Sequence, residues 1–136
     1  MTHRNFNITL LTAFIITLSS FRVTQTNPDL QASMLRGKEI YVTQCMTCHM
    51  QQGEGIVGVY PPLAKSDYLM ADKNRAIKQV LEGASGEMVV NGVTYYGFMT
   101  GFALNDKEVS DVLNYIRNSW GNKGEIVKPD EVKAIR

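Results

Sequence analysis

The chain has 136 residues, of which 44% are hydrophobic and 20% are charged, and its formal net charge is +1. This length accommodates one compact domain with one core, so a single site is expected to carry the function. The ordinary proportions of apolar and charged residues exclude a disordered chain, a collagen-like repeat and a polytopic membrane protein. The near-zero charge argues against nucleic acid as a partner.

The N-terminal segment has the pattern of a secretory signal peptide. Arg4 precedes a mostly apolar run over residues 8–18, and Arg22 follows that run closely. Because the run is shorter than the roughly 20 residues that cross a bilayer, a signal is favoured over a stable membrane span. No small-x-small cleavage motif is present, so an uncleaved anchor stays open as an alternative. The sequence therefore predicts a signal peptide or N-terminal anchor over residues 1–26. The remainder, residues 27–136, is predicted as a domain exported to the periplasm or the outer face of the cytoplasmic membrane.

The first half of this domain is predicted to contain two helices separated by a loop. Four residues within Asp29–Gln44 recur at helical spacing and predict the first helix: Met34, Gly37, Ile40 and Tyr41. Three glycines and two prolines in residues 49–65 predict an irregular loop. A second helix is predicted between Asp72 as its N-cap and Gly83 as its end. The pattern of residues 86–101 fits either a short hairpin or a glycine-punctuated loop.

The clearest helical signal lies near the C-terminus. Asn105 is a predicted N-cap, and Glu108 at the third helical position completes a capping box. Five apolar residues follow at helical spacing: Val109, Val112, Leu113, Ile116 and Trp120. Gly121 is predicted to end this helix, and Pro129 to start a further short helix in the tail.

The pattern Cys-x-x-Cys-His occurs between the first helix and the loop, from Cys45 to His49. It is the attachment sequence for c-type haem, in which the two thiols reach the two vinyl groups and the histidine lies under the iron. Thioether bonds from Cys45 and Cys48 would fix the porphyrin, and His49 would supply a neutral imidazole nitrogen as the proximal ligand. The other ring nitrogen is expected to donate to a backbone carbonyl. The motif predicts one covalently bound haem c.

Three other interpretations of the two cysteines carry less weight. A structural disulfide leaves His49 without a role. A thiol-disulfide oxidoreductase places its Cys-x-x-Cys in a βαβ unit, which the helical pattern does not supply. A structural zinc site lacks a fourth ligand, because the other histidine, His3, lies in the predicted signal.

A low-spin electron carrier needs a sixth iron ligand, and a methionine is the best candidate because residues 27–136 contain no second histidine. The methionines upstream of the motif or immediately beside it are unsuitable, which leaves Met70, Met88 and Met99. Met99 is favoured because glycines flank it in residues 97–101, just before the capped last helix. The ordinary alternative for any methionine is to fill a gap in the core.

Four segments resemble the class I, mono-haem cytochrome c family. They are Gly37-Lys38-Glu39-Ile40-Tyr41, Tyr60-Pro61-Pro62-Leu63, Leu104-Asn105-Asp106-Lys107-Glu108 and Tyr115-Ile116-Arg117. The resemblance covers residues 37–121. It implies an all-α cytochrome c fold, with three to five helices around one covalently attached haem.

The resemblance also assigns individual residues. It implies that Gly37 meets Tyr115 where the first and last helices cross, and that the carbonyl partner of His49 belongs to Pro61. It places the methionine ligand at Met99. The family often has Met-Pro at this point, whereas this chain has Thr100 after the methionine, which bears on how rigidly the ligand segment is held.

These predictions describe an electron carrier and not an enzyme. With His49 and Met99 both on the iron, no position remains open for a substrate. Four residues are predicted to line the haem pocket: Tyr60, Pro61, Leu63 and Phe98. The expected partners are redox proteins, with no nucleic acid, and a membrane only if the N-terminal segment is retained. Two alternatives stay open: a cytochrome c subunit of a larger oxidoreductase, and a haem sensor or enzyme if Met99 is not a stable ligand.

Overall fold

The computed structural model describes residues 27–136, and the predicted signal or anchor over residues 1–26 lies outside the described residues. The elements in chain order are α1 (Pro28–Ile40), a π-helical turn (Tyr41–Cys45), α2 (Met46–His49), α3 (Asp67–Ala71), α4 (Lys73–Glu82), β1 (Gly83–Val90), β2 (Val93–Thr100), α5 (Asp106–Ile116) and α6 (Pro129–Lys133). In this described part of the chain, no helix is long and apolar enough to cross a membrane.

The first predicted helix is confirmed, and the continuous helical segment that begins with it extends as far as His49. Asn27 caps it by accepting the N–H of Asp29 at 3.0 Å, and Pro28 occupies its first turn. α1 passes through the π-helical turn directly into α2, so the Cys-x-x-Cys-His motif lies on the end of one continuous helical segment. π-helical turns inside helices occur frequently at functional sites. The helical segment ends at Met50, whose φ of 65° turns the chain sharply away.

α1 and α5 cross at very short distance because Gly37 has no side chain. A Cβ atom at Gly37 would lie 1.9 Å from the carbonyl oxygen of Asp111, and the next nearest atoms belong to Asp111 and Val112. Tyr115, one turn further along α5, packs its ring against Tyr41 with the ring centroids 5.4 Å apart. The helix crossing expected from the resemblance is present, and the backbone nearest to Gly37 lies one turn before Tyr115.

The expectation of an all-α fold is corrected by a two-stranded antiparallel sheet. β1 and β2 pair from Gly83 opposite Thr100 to Val90 opposite Val93. The residues between the strands, Asn91 and Gly92, have φ of 50° and 77°, as the two central residues of a type I′ hairpin turn require. β-branched and aromatic residues favour the strand conformation in β2. The choice that the sequence left open for residues 86–101 is therefore resolved as a hairpin.

The predicted caps of α4 and α5 are confirmed. The Asp72 carboxylate accepts a backbone N–H at 3.0 Å, and Asn105 and Glu108 exchange the two bonds of a capping box at 3.0 and 2.8 Å. α5 ends at Ile116, about one turn before the predicted end at Gly121, because the chain there enters turns closed by the side chains of Asn118 and Asn122.

The hydrophobic core lies between α4, α5, the end of the first helical segment and the C-terminal tail. Its fully buried members include Tyr41, Ile77, Val109, Val112, Leu113, Val127 and Val132. Each such side chain contributes about 1.5–3 kcal/mol when it is buried. The tail after α5 brings Val127 and Val132 back onto this core, and the predicted helix start at Pro129 is confirmed.

A buried polar network joins α1 to α5 beside the glycine crossing. Asp111 is only 3% exposed and accepts hydrogen bonds from Ser33 at 2.6 Å, Arg36 at 2.7 Å and Lys107 at 2.7 Å. Asn114 extends the network by donating to the Ser33 hydroxyl at 2.9 Å. Burial alone would raise the pKa of Asp111, but the hydrogen bonds outweigh it and hold this pKa below its usual value.

Replacing Asp111 with Asn is expected to lower the free energy of unfolding by about 2 kcal/mol at neutral pH, because the neutral amide has one acceptor oxygen and no charge to offer to Ser33, Arg36 and Lys107. The lowered folded-state pKa means that the carboxylate's contribution is present above the unfolded pKa of about 3.9 and is lost as pH falls through the folded value. Guanidinium unfolding at neutral and acidic pH measures both effects. An equal difference between Asp111→Asn and the unchanged protein at the two pH values would contradict this account.

Candidate cofactor site

A cavity of about 400 Å³ lies between the motif, the loop that follows it, α4, the hairpin and α5. Its volume is within the range of about 300–1,000 Å³ typical of ligand and cofactor pockets. Among the described residues, no Asp, Glu, Lys or Arg side chain lines it. All eight residues predicted for the site do: Cys45, Cys48, His49, Met99, Tyr60, Pro61, Leu63 and Phe98. The chain therefore folds these dispersed residues around one mainly apolar space.

Cys45 and Cys48 reach the cavity from the π-helical turn and α2, and no disulfide joins them. Burial, assisted by the neighbouring Cys48, raises the pKa of the Cys45 thiol to about 11. A catalytic redox thiol needs a lowered pKa instead. In residues 27–136, no three His, Cys, Asp or Glu side chains cluster as they would around a metal ion. The environment of the pair thus suits two thiols held at the wall of an apolar cavity.

His49 is held by one hydrogen bond to the backbone. Its Nδ1 lies 2.9 Å from the carbonyl oxygen of Pro61, so Nδ1 carries the proton and donates it. This tautomer leaves Nε2 with a free lone pair. Burial lowers the pKa of His49 more than the bond to Pro61 raises it, so the ring stays neutral at pH 7. Both the expected bond from the second ring nitrogen to a carbonyl and its partner Pro61 are confirmed.

The loop after the motif brings the Pro61 carbonyl to His49, because Gly55 allows the backbone to turn back very tightly. Gly55 has a φ of 62°, and a Cβ atom there would lie 2.3 Å from the carbonyl oxygen of Tyr60 and 2.8 Å from that of Pro61. Its N–H also bonds to the His49 carbonyl at 3.1 Å. Ile56 and Tyr60 close the loop with two reciprocal backbone bonds of 2.8 Å. The backbone on both sides of the imidazole is therefore fixed by one small loop.

Three aromatic rings pack behind the motif, outside the cavity. The ring centroids of Tyr41 and Trp120 are 5.0 Å apart, and those of Tyr115 and Trp120 are 5.3 Å apart. The Tyr41 hydroxyl donates to the carbonyl of Met50 at 2.6 Å. A Cβ atom at Gly53 would lie 2.6 Å from the Trp120 ring, so the loop rests directly on this group of aromatic rings. The rings hold the turn immediately after His49 in place.

Met99 lies on β2 and not in the glycine-flanked loop that the sequence favoured. Because side chains alternate between the two faces of a strand, Met99 shares a face with Tyr95, which is 2% exposed, and with Met88 on the paired strand. Phe98 belongs to the opposite face and is 81% exposed, although it borders the cavity. The cavity face of the hairpin therefore carries two methionines.

The structure distinguishes between the three methionines that the sequence left as candidate iron ligands. Met99 and Met88 line the cavity. Met70 packs against the hydrophobic core and is not among the cavity-lining residues. The geometry thus narrows the thioether candidates to the two on the hairpin.

Much of the cavity wall was missed by the sequence analysis. It comes from α3, α4 and α5 and includes Tyr68, Leu69, Ala76, Gln79, Val80, Val112, Leu113 and Ile116. The apolar stripes of α4 and α5 were visible as periodicity, but periodicity does not distinguish a face that packs on protein from one that faces a cofactor. Tyr68 and Gln79 gave no signal of their own.

Comparison with known proteins identifies a matching protein family. The model of the cytochrome c family matches residues 34–120. The chain is 40% identical over 110 residues to cytochrome c-552 of Thermus thermophilus, and the match covers 74% of this chain and 83% of that protein. It is 30% identical over 103 residues to the cytochrome c subunit of alcohol dehydrogenase (quinone) from Gluconobacter oxydans. It is 34% identical over 104 residues to the gluconate 2-dehydrogenase cytochrome c subunit from Pantoea cypripedii. The match spans only 22% and 24% of these two subunits.

Replacing Gly55 with Ala is expected to destabilise the loop that positions Pro61. Gly58 provides a matched control, because its φ of 75° is also positive but a Cβ atom there would have no neighbour within 4 Å. Both variants carry the cost of a side chain at positive φ, about 1 kcal/mol. Gly55→Ala should cost at least about 1 kcal/mol more than Gly58→Ala in the free energy of unfolding, because of its backbone contacts. Equal costs would mean that the close approach at Gly55 is unimportant.

Proposed function

Since the chain belongs to the cytochrome c family, whose members transfer electrons through covalently bound haem c, we propose that Cys45 and Cys48 attach the haem while His49 and Met99 bind its iron. The motif occurs once in the sequence, which supports a single haem. The observation that carries the proposal is the shared cavity. Residues from the first helical segment and from the hairpin, about fifty positions apart, line the same apolar space.

The residues around the cavity fit haem c in their chemistry. Two thiols at the spacing for vinyl attachment and an imidazole with a free Nε2 come from the motif, and a thioether comes from β2. The mainly apolar wall suits a porphyrin ring, because transfer of apolar surface out of water is favourable. The high pKa of Cys45 keeps that thiol protonated and inert toward disulfide exchange until it is attached.

Haem, when bound, supplies one-electron exchange between ferric and ferrous iron. His49 is oriented and kept neutral by its bond to Pro61, which makes it a stronger and better-placed donor. Met99 offers a soft thioether, a ligand type that favours the reduced state and raises the potential. The apolar wall excludes water and has the same effect. With His49 and Met99 both holding the iron, no position would remain for a substrate, which supports a carrier and not an enzyme.

The setting of this carrier is proposed from its sequence and its relatives. An oxidising compartment outside the cytoplasm, the periplasm or the outer face of the cytoplasmic membrane, is supported by the signal-like residues 1–26. Its partners are other redox proteins. A place as a subunit of a larger oxidoreductase is a second candidate, because two relatives are named as cytochrome c subunits of dehydrogenases. Co-purification with a dehydrogenase subunit from native cells would support this second candidate, and isolation as a free protein would contradict it.

Replacing Met99 with Ala is expected to remove the weak sulfur-to-iron absorption band of the ferric protein. Loss of the thioether should also lower the midpoint potential by on the order of 0.1 V and open the ferrous iron to carbon monoxide. Absorption spectra and a redox titration measure these changes. Met88→Ala is the matched control, because it removes a thioether from the same face of the hairpin. A band that persists in Met99→Ala and disappears in Met88→Ala would move the ligand to Met88.

A further inference from the structure

Whether Met99 faces the cavity depends on the pairing register of the hairpin. Met99 lies opposite Ala84, and its neighbours in β2, Phe98 and Thr100, belong to the other face. A slip of the pairing by one residue moves every side chain of a strand to the opposite face. Such a slip would move the Met99 side chain away from the face that it shares with Tyr95 and Met88 and onto the face that now carries Phe98 and Thr100. The position of the proposed iron ligand therefore depends on a fixed pairing register.

The hairpin needs support from the rest of the chain, because an isolated two-stranded hairpin is at best marginally stable in water. No proline stiffens residues 83–101. At the base of the hairpin, two glycines without side chains allow the backbone to pack directly against other backbone segments. A Cβ atom at Gly83 would lie 2.3 Å from the Met99 carbonyl oxygen, and one at Gly101 would lie 2.4 Å from the Leu81 carbonyl oxygen. The first contact joins the two strands at the base of the hairpin, and the second holds this base against the end of α4.

The tip of the hairpin is tied to the start of α3 by a reciprocal pair of hydrogen bonds. The N–H of Asp67 donates to the side-chain oxygen of Asn91 at 3.0 Å, and the N–H of Asn91 donates to the Asp67 carboxylate at 2.8 Å. We call this pair the Asp67–Asn91 clasp. Asn91 is also the first central residue of the two-residue turn, so the clasp holds the very residue whose φ of 50° defines that turn. In a hairpin of this kind the turn type and loop length fix the register.

We propose that Asp67 and Asn91 are positioning residues that keep Met99 on the iron by fixing the turn and hence the register of the hairpin. The proposal rests on the assignment of Met99 as ligand made above. Neither residue lines the cavity, so both act through the backbone of the hairpin. The clasp takes the role of a rigid ligand segment in a chain that has Thr100, and no proline, after the methionine. Its loss leaves the turn at Asn91 and Gly92 free to change conformation, and the pairing register of the whole hairpin changes with the turn.

The test compares haem-loaded variants of the full chain. Asn91→Gly removes the side-chain acceptor and keeps a residue that adopts positive φ without cost. Asp67→Ala removes the other acceptor, and Asp67→Asn retains a side-chain oxygen for the same bond and is the matched control. Ferrous Asp67→Ala and Asn91→Gly are expected to bind carbon monoxide about tenfold faster than the unchanged protein, the ratio that corresponds to about one lost hydrogen bond. The ferric sulfur-to-iron band should disappear at lower temperature than in the unchanged protein, and Asp67→Asn should resemble the latter.

A second control separates ligand positioning from general destabilisation. Glu131→Ala breaks an ion pair with Lys73 at the start of α4 and a 2.8 Å bond to the Lys128 N–H, which immediately precedes α6. It leaves the Asp67–Asn91 clasp and the backbone contacts at the base of the hairpin intact. It should lower the unfolding temperature without changing the rate of carbon monoxide binding. Equal rates in the clasp variants, Glu131→Ala and the unchanged protein would overturn the positioning role, while a band in the unchanged protein would leave Met99 ligation intact. Absence of that band from the unchanged protein would instead contradict the proposed function.

Discussion

The hydrogen bond of 2.9 Å from Nδ1 of His49 to the carbonyl of Pro61 fixes both the protonation and the direction of the imidazole. The loop between these residues is shaped around this bond. Gly55 permits a return so tight that any side chain would collide with the backbone at Tyr60 and Pro61. On the other side, the Tyr41 hydroxyl holds the Met50 carbonyl immediately after the histidine. The ring is consequently neutral and oriented, with the lone pair of Nε2 available, which is the preorganisation that a metal-binding histidine requires.

Around this bond the chain is built from two contrasting kinds of packing. The crossing of α1 and α5 brings backbones together at Gly37 and is held by the buried carboxylate of Asp111 with its three charged or polar donors. The cavity on the other side of α5 is lined, among the described residues, without any charged side chain. The charged groups at the crossing are thus paired with one another, and the space next to the motif stays mainly apolar. A low-dielectric site of this kind suits a cofactor whose potential depends on exclusion of water.

The sequence predicted those features that depend on short-range patterns. The motif from Cys45 to His49 pointed to haem because its spacing has one dominant chemical meaning, and capping at Asp72 and Asn105 placed the starts of α4 and α5. Membership of the cytochrome c family and its covalent haem are confirmed by the family match over residues 34–120. The assignment of iron ligands to His49 and Met99 stays a prediction, although both residues line the same cavity.

Other features depended on long-range contacts or on a local signal that was not used. Asn91-Gly92 is the strongest two-residue signal for a hairpin turn and would have decided between the hairpin and the glycine-punctuated loop, which the sequence analysis left open. The burial of Asp111 had no such signal, because an amphipathic pattern shows the apolar face of α5 and not that its polar face is covered by α1. The reciprocal bonds between Asp67 and Asn91 join residues 24 positions apart and follow only from the folded chain.

The most direct test of the central claim is a crystal structure of the haem-loaded protein. The account predicts thioether bonds from Cys45 and Cys48 to a single haem, with His49 Nε2 and Met99 Sδ as the two axial ligands. Met88 should remain beside the ring without bonding to the iron. A haem held without covalent bonds to the two cysteines, or an iron bound by Met88 or by water in place of Met99, would contradict it.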